Sequence, residues 1–228
     1  MNNIWKRTLS GVLLAVVVLW ATDRSPLTFS VLWIVIFGGC LWEYLYLVRR
    51  FGSVFGRGKM MSQIIGTLYI ALPTVLILTF NGSEYLRMTI ITFLTLVWAN
   101  DVGGYLVGSN FGRHKMIPSI SPKKTWEGFF GGIIFAIAVG LLWNLFFWEK
   151  VDLIGFTTIN TWIYFGGMGL VAALGAVAGD LVESKFKRVL GIKDSGSVIP
   201  GHGGMLDRFD AMMIATPAMW LYMYLYFQ

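Results

Sequence analysis

Charged side chains are scarce in this chain. Only 13% of its 228 residues are charged, against about a quarter in soluble domains, while 56% are hydrophobic. The apolar residues stand in long blocks, and the mean hydropathy is +0.68. A water-soluble core cannot cover so many apolar blocks. The composition therefore excludes an ordinary soluble domain and predicts that a lipid bilayer surrounds most of the chain.

Cysteine is scarcer still. The single cysteine, Cys40, lies in an apolar run, which excludes an intrachain disulfide and favours a buried apolar role over redox chemistry. The sequence contains no motif of RNA- or DNA-binding proteins. We therefore interpret the formal net charge of +6 as a sign of basic loops on the cytoplasmic side of a membrane, and we expect no nucleic-acid partner.

Long apolar runs are what the sequence has in abundance. A bilayer core about 30 Å thick needs roughly 20 apolar residues in a helix, and a spanning segment must satisfy its own backbone hydrogen bonds. The sequence thus predicts an all-α polytopic membrane protein of about seven transmembrane helices, the first of them short and retained rather than cleaved. The segments are approximately Leu9–Ala21, Leu27–Leu47, Ile64–Phe80, Met88–Gly108, Gly128–Trp148, Trp162–Gly179 and Asp210–Phe227.

The distribution of lysine and arginine predicts the orientation of these helices. Seven spans with a cytoplasmic N-terminus place fifteen of the 18 basic residues on the cytoplasmic side and leave three outside. The cytoplasmic set is Lys6, Arg7, Arg49, Arg50, Arg57, Lys59, Arg113, Lys115, Lys123, Lys124, Lys185, Lys187, Arg188, Lys193 and Arg208. The outer set is Arg24, Arg87 and Lys150.

Two of the predicted cytoplasmic loops are longer and more polar than a connection requires. They are Ser109–Glu127 and Glu183–Leu206. Lys123 and Lys124 in the first loop are either phosphate ligands or ordinary membrane anchors. Asp101 in the preceding span favours a polar cleft that opens to the cytoplasm, because an acid inside a membrane helix is costly.

Acidic residues flank the second loop. Asp180 ends one apolar span, and Asp207 and Asp210 share a helical face where the next span begins. Carboxylates from two helices suit Mg²⁺ or another divalent cation. The alternative is that Asp207 and Asp210 complement a helix N-terminus and that Asp180 pairs with a lysine.

A glycine-rich turn, Gly201–Gly204, lies within the second loop. Its backbone N–H groups form an anion-binding nest, or its glycines serve only for tight turning. His202 either contacts phosphate and orients an aspartate or is an incidental polar residue.

The second loop resembles the signature of the phosphatidate cytidylyltransferases, which are also called CDP-diacylglycerol synthases. That signature is Ser-x-apolar-Lys-Arg, four residues, Lys-Asp, a small residue, and then His-Gly-Gly-x-x-Asp-Arg-x-Asp. Every fixed position is filled, namely by Ser184, Lys187, Arg188, Lys193, Asp194, Gly196, His202, Gly203, Gly204, Asp207, Arg208 and Asp210.

The likeness extends from about Trp98 to the C-terminus. It includes Asp101, Gly104, Tyr105, Gly108 and the stretch Ser121–Gly128. The resemblance implies one cytidylyltransferase domain over residues 1–228, with N-terminal helices in 1–97 and a catalytic half in 98–228. Bacterial members of the family usually have about two additional early spans, so the periphery of the fold and any dimer contacts stay open.

The resemblance implies that CTP reacts with phosphatidate to give CDP-diacylglycerol and pyrophosphate, at an active site that faces the cytoplasm of a bacterial plasma membrane. It implies catalytic roles for Asp180, Asp207, Asp210, Lys187, Arg188 and His202, with the three aspartates as metal ligands. It implies substrate-binding roles for Asp101, Lys124, Thr125, Glu127, Ser184, Lys193, Asp194, Gly203, Gly204 and Arg208.

Two other functions remain as alternatives. A related CTP-dependent transferase would act on another lipid, such as an isoprenoid phosphate or alcohol. A transporter would use the intramembrane acids Asp101 and Asp180, although the sequence lacks the matched halves that are common in transporters.

Overall fold

The computed structural model describes residues 3–151, 158–198 and 203–226. The described chain is almost entirely helical, which confirms the predicted all-α fold. Its helices are α1 (Asn3–Arg24), α2 (Pro26–Arg50), α3 (Gly52–Phe55), α4 (Lys59–Thr79), α5 (Glu84–Phe111), α6 (Trp126–Val151), α7 (Thr158–Val189) and α8 (Leu206–Tyr226). Single 3₁₀ turns occupy Gly56–Gly58 and Phe80–Gly82.

The seven predicted segments correspond to the seven long helices. Within the described residues, five stretches are long and apolar enough to cross a membrane: Pro26–Arg50, Gly52–Gly82, Leu86–Phe111, Trp126–Phe146 and Thr161–Val189. The chain is therefore polytopic, and the count of seven spans stays a prediction for α1 and α8. The last residue of the final predicted segment, Phe227, lies outside the described residues.

Local sequence explains where two of the helices begin and end. Ser25 alone separates α1 from α2, and its hydroxyl and the Thr28 side chain cap each other's backbone N–H groups at 3.2 and 3.0 Å. At the end of α7 the backbone turns at Gly191, whose φ of +68° favours glycine. The Ile192 N–H then donates back to the Lys187 carbonyl at 3.0 Å, which closes the helix.

Contacts divide the chain into two compact units that interleave in sequence. The first contains residues 1–91 and 182–213, and the second contains residues 92–181 and 214–228. The core of the first unit is aromatic. Phe29, Trp33 and Phe37 follow one face of α2 and are fully buried, and the Trp33 ring meets Phe209 of α8 edge-on at 6.4 Å.

In the second unit α5 and α6 pack closely through glycine. A Cβ on Gly128 would lie 2.8 Å from the Gly104 carbonyl oxygen, and one on Gly103 would lie 2.5 Å from Phe135. The glycines permit this close packing, since larger residues at these positions would separate the helices.

The loop between α5 and α6 contains a β-hairpin that the sequence did not predict. Strands β1 (Lys115–Ile117) and β2 (Ser121–Thr125) pair antiparallel, with Lys115 opposite Thr125. The strands are short, with three and five residues, and they lack the apolar alternation by which strands are recognised in sequence.

Candidate active site

The second unit contains a cavity of about 410 Å³ whose polar lining is mostly charged. Its wall includes the lysines Lys115, Lys123 and Lys124 from the hairpin and the carboxylates Asp101 from α5 and Asp180 from α7. The glycines at the α5–α6 crossing form another part of the wall. Three lysines in the lining of one cavity favour an anionic ligand with several charges.

Lys124 and Asp180 form an ion pair in this cavity. The Lys124 Nζ lies 2.5 Å from an Asp180 carboxylate oxygen, and the two side chains are 26% and 37% exposed. A pair that is open to water contributes little to folding. Breaking this ion pair to bind a ligand would therefore cost little free energy. The pairing of Asp180 with a lysine, which was one of the two interpretations of the sequence, is observed.

Two other motif residues hold the hairpin against α6. The Thr125 hydroxyl accepts a hydrogen bond from the Gly128 N–H at 3.2 Å and so caps the start of α6. The Glu127 carboxylate accepts from the backbone N–H of His114 at 3.2 Å and pairs with the His114 ring at 2.6 Å. Both residues position the lysine-bearing strand, and their predicted contacts with substrate stay predictions.

A second charged cluster lies in the first unit. The Lys187 ammonium bridges Glu183, one turn earlier on α7, at 2.5 Å and Asp207 on α8 at 2.7 Å. The side chains of Lys187, Glu183 and Asp207 are only 12%, 2% and 5% exposed. Unlike the Lys124–Asp180 pair, this cluster is buried, so each of its charges depends on the others.

Asp207 also organises the backbone before α8. Its second carboxylate oxygen accepts from the N–H groups of Gly204 at 2.8 Å and of Ser195 at 2.9 Å. Burial tends to raise the pKa of Asp207, but the hydrogen bonds from Lys187 and from these N–H groups outweigh it and hold the pKa below its usual range. The carboxylate is thus ionised and already engaged at the N-terminus of a helix.

Glu43 is a functional candidate that the sequence analysis missed. This residue of α2 is 2% exposed. Its carboxylate accepts from the Ser195 hydroxyl and from the N–H groups of Met205 and Leu206, each at 2.9 Å. The sequence contained evidence for such a role, because an acidic residue inside an apolar predicted span is costly unless its carboxylate is hydrogen-bonded or paired.

The glycine-rich turn is occupied by the protein's own carboxylates. Gly203 adopts a φ of +87°, a conformation that other residues rarely take. The next three N–H groups, of Gly204, Met205 and Leu206, donate to Asp207 or Glu43. The backbone N–H groups at the end of the turn therefore hold carboxylates of the protein itself, and phosphate binding by Gly201–Gly204 stays a prediction.

A second cavity, of about 450 Å³, borders Glu43 in the first unit. Its wall includes Trp42 and Tyr46, whose rings stack at 6.1 Å, together with Arg50. The motif residue Asp194 also lines it. The loop that carries the signature (called the signature loop from here on) therefore shares this cavity with aromatic and basic residues of α2.

The remaining predicted site residues are distributed as follows. Arg188 donates to the Ile192 carbonyl at 3.1 Å and Ser184 is buried, while Lys193 and Arg208 are exposed. Asp210 is half-buried on α8. His202 lies outside the described residues, and its predicted role is untouched.

The three aspartates that were predicted to bind one metal ion do not all lie in the same unit. Asp180 belongs to the second unit and Asp207 and Asp210 to the first, and no cluster of three or more metal-ligating side chains occurs among the described residues. Mg²⁺ needs only one or two protein carboxylates when water and substrate phosphates complete its shell. The carboxylates present fit a cation that binds together with a phosphorylated substrate, and the three-aspartate site stays a prediction.

The fold defines a multi-pass membrane protein, and its described residues include a lysine-rich cavity and a buried charged cluster. A model of the cytidylyltransferase family matches residues 51–226, and the chain belongs to that family.

Curated relatives carry a more particular name. The phosphatidate cytidylyltransferase of Staphylococcus epidermidis is 47% identical over 135 residues, which are 59% of this chain and 48% of that protein. That of Mycobacterium tuberculosis is 37% identical over 172 residues, which are 72% of this chain and 48% of that protein. The chain spans about half the length of the curated relatives it matches.

Proposed function

We propose that this protein transfers a cytidylyl group from CTP to phosphatidate and releases CDP-diacylglycerol and pyrophosphate. Membership of the cytidylyltransferase family carries the proposal. The complete signature from Ser184 to Asp210 and the names of the relatives support phosphatidate as the acceptor. The lysine-rich cavity supports a substrate with several negative charges.

In this reaction a phosphate oxygen of phosphatidate attacks the α-phosphorus of CTP. The bond from that phosphorus to the oxygen that bridges to the β-phosphorus breaks, and pyrophosphate leaves with its electrons. A phosphate monoester is already anionic near neutral pH, so the attack requires no strong general base. The main obstacle is repulsion between two polyanions, which cationic groups reduce.

The lysines of the second-unit cavity are proposed to bind phosphate groups of the substrates. Lys115, Lys123 and Lys124 line this cavity, and we propose that Lys124 releases Asp180 and binds a phosphate oxygen when a substrate enters. In the first unit, Lys187 has three N–H donors, two of which are directed at Glu183 and Asp207. We propose that the third contacts phosphate.

We propose Asp180, in the second unit, as a ligand of Mg²⁺ or another divalent cation, and Asp210, in the first unit, as a separate candidate ligand. Asp207 is a weaker candidate, because both of its oxygens already accept hydrogen bonds from Lys187 and the backbone. The cation, when bound, would neutralise charge on the substrate phosphates.

A labelling experiment with the purified protein tests this function. With phosphatidate, Mg²⁺ and CTP labelled on the α-phosphorus, we expect the label in a CDP-lipid; with CTP labelled on the γ-phosphorus, we expect it in pyrophosphate. A CTP-dependent lipid kinase would instead transfer the γ-label to the lipid. EDTA is expected to stop the reaction and excess Mg²⁺ to restore it. Absence of CDP-lipid from both phosphatidate and isoprenoid phosphate would reject cytidylyl transfer.

We further propose that the basic loops face the cytoplasm, on the basis of the uneven distribution of lysine and arginine. Single cysteines at the exposed positions Arg57, Ser119 and Ser197, in a Cys40→Ala background, should resist an impermeant thiol reagent in intact cells and react after lysis. Ser83→Cys, in the opposite connection, should react in intact cells. Labelling of the first three from outside would reverse the proposed orientation.

A further inference from the structure

We propose that Glu43 is a positioning residue for the transfer reaction. In this role it holds the two chain segments Ser195–Gly196 and Gly204–Leu206 in the arrangement that the reaction uses. These segments and the Glu43 carboxylate together are called the clamp below. The proposal rests on the function proposed above and adds a residue of α2, outside the signature, to its machinery.

The clamp joins parts of the chain that are far apart in sequence. The Ser195 hydroxyl lies 152 residues from Glu43, and the Leu206 N–H lies 163 residues away. One Glu43 oxygen accepts from Met205, and the other accepts from both Ser195 and Leu206. Three hydrogen bonds to one buried carboxylate fix both segments against α2 and against the first turn of α8.

Glycine makes room for this carboxylate on both sides. A Cβ on Gly196 would lie 2.7 Å from a Glu43 oxygen, and a Cβ on Gly204 would lie 2.8 Å from the same oxygen. Any other residue at either position would displace the carboxylate or the segment. Both glycines belong to the signature loop, so the loop is shaped around Glu43.

The arrangement requires a carboxylate rather than an amide. Each Glu43 oxygen accepts from a backbone N–H, Met205 on one and Leu206 on the other. A glutamine has only one acceptor oxygen, and its NH₂ group would face one of these N–H donors in either flip. Glu43→Gln therefore keeps the size of the side chain but leaves at least one buried donor without an acceptor.

The clamp is connected to the buried charges of the first unit. Ser195 donates its hydroxyl to Glu43 and its backbone N–H to Asp207, and Asp207 in turn binds the Lys187 ammonium. A shift of Ser195 therefore moves an acceptor that holds Lys187. Glu43 acts on the reaction through these neighbours and need not touch a substrate.

Kinetics of Glu43→Gln test the proposal, with Tyr44→Phe as the matched control. Tyr44 lies next to Glu43 on α2, and its hydroxyl donates to the Ser62 carbonyl at 2.7 Å, away from the clamp. Both variants lose hydrogen bonds in the same unit. We expect Glu43→Gln to lower kcat by about 10- to 100-fold, the effect of one unsatisfied buried donor, with KM for CTP changed by less than about threefold. Tyr44→Phe should keep wild-type kcat.

Amide hydrogen exchange supplies a readout that is independent of activity. In the wild type the Met205 and Leu206 amides should exchange slowly, and in Glu43→Gln both should exchange faster while the core of α4 is unchanged. If the wild type makes no CDP-lipid but exchange changes in this way, the proposed function fails and the clamp stands as a structural element. Wild-type kinetics or unchanged exchange in Glu43→Gln would overturn the positioning role.

Ser195→Ala keeps the test decisive if Glu43→Gln does not fold. It removes one donor to Glu43 and leaves both backbone donors in place. We expect a smaller decrease in kcat, of about threefold to tenfold, and faster exchange at Leu206. Wild-type kcat and exchange in this variant would contradict the proposal.

Discussion

Lys187→Met is expected to destabilise the protein by about 3–5 kcal/mol and to remove its activity. The ammonium group is the shared partner of Glu183 and Asp207, which are both almost fully buried. Without it two carboxylates face each other in a poorly solvated site, and removal of one partner from a buried ion pair is costly. Thermal and denaturant unfolding in detergent, together with the CDP-lipid assay, measure the two effects.

Lys185→Met is the matched control, because Lys185 is exposed on the same helix. We expect it to change the free energy of unfolding by less than about 0.5 kcal/mol. The double variant Lys187→Met with Glu183→Gln should recover part of the lost stability, since one unpaired charge is gone, but none of the lost activity. If Lys187→Met unfolds like Lys185→Met, the cluster does not stabilise the fold.

The membrane spans and the two polar loops, Ser109–Glu127 and Glu183–Leu206, were predictable because both depend on local sequence. An apolar run of sufficient length must form a helix in a bilayer, so the long helices follow from hydropathy alone. The ends are predictable where a cap is local, as at Ser25 and Thr28. The β-hairpin was not, because its strands have only three and five residues and lack the apolar alternation of a longer strand.

Partner choice within the site was less predictable. The sequence left two interpretations for Asp207, as a metal ligand or as a helix-terminus residue. The observed hydrogen bonds from Ser195 and Gly204 favour the second, and they connect positions that only the folded chain brings together. The role of Glu43 depends in the same way on donors more than 150 residues away. An acidic residue in an apolar span indicates a functional or structural role, but the partners of that residue depend on tertiary packing.

Asp180→Asn, unlike Lys187→Met, should lower activity strongly with little loss of stability. Its partner Lys124 and Asp180 itself are both partly exposed, so loss of the ion pair should cost at most about 1 kcal/mol of folding free energy. Turnover should nevertheless fall by about 100-fold or more, because the variant removes a charge proposed to hold a divalent cation beside substrate phosphates. Unfolding curves and the CDP-lipid assay on the same preparation separate the two quantities.

Dependence on Mg²⁺ identifies which role Asp180 has. If its carboxylate binds the cation, Asp180→Asn should need a higher Mg²⁺ concentration for half-maximal rate, whereas Lys124→Ala should raise KM for CTP at an unchanged Mg²⁺ requirement. If Asp180 only positions Lys124, both variants should raise KM for CTP and leave the Mg²⁺ requirement as in the wild type. Asp23→Asn, an exposed aspartate on α1, controls for loss of one negative charge. If Asp180→Asn turns over as fast as Asp23→Asn, Asp180 has no role in the reaction. Its carboxylate would then serve only as the ion-pair partner of Lys124.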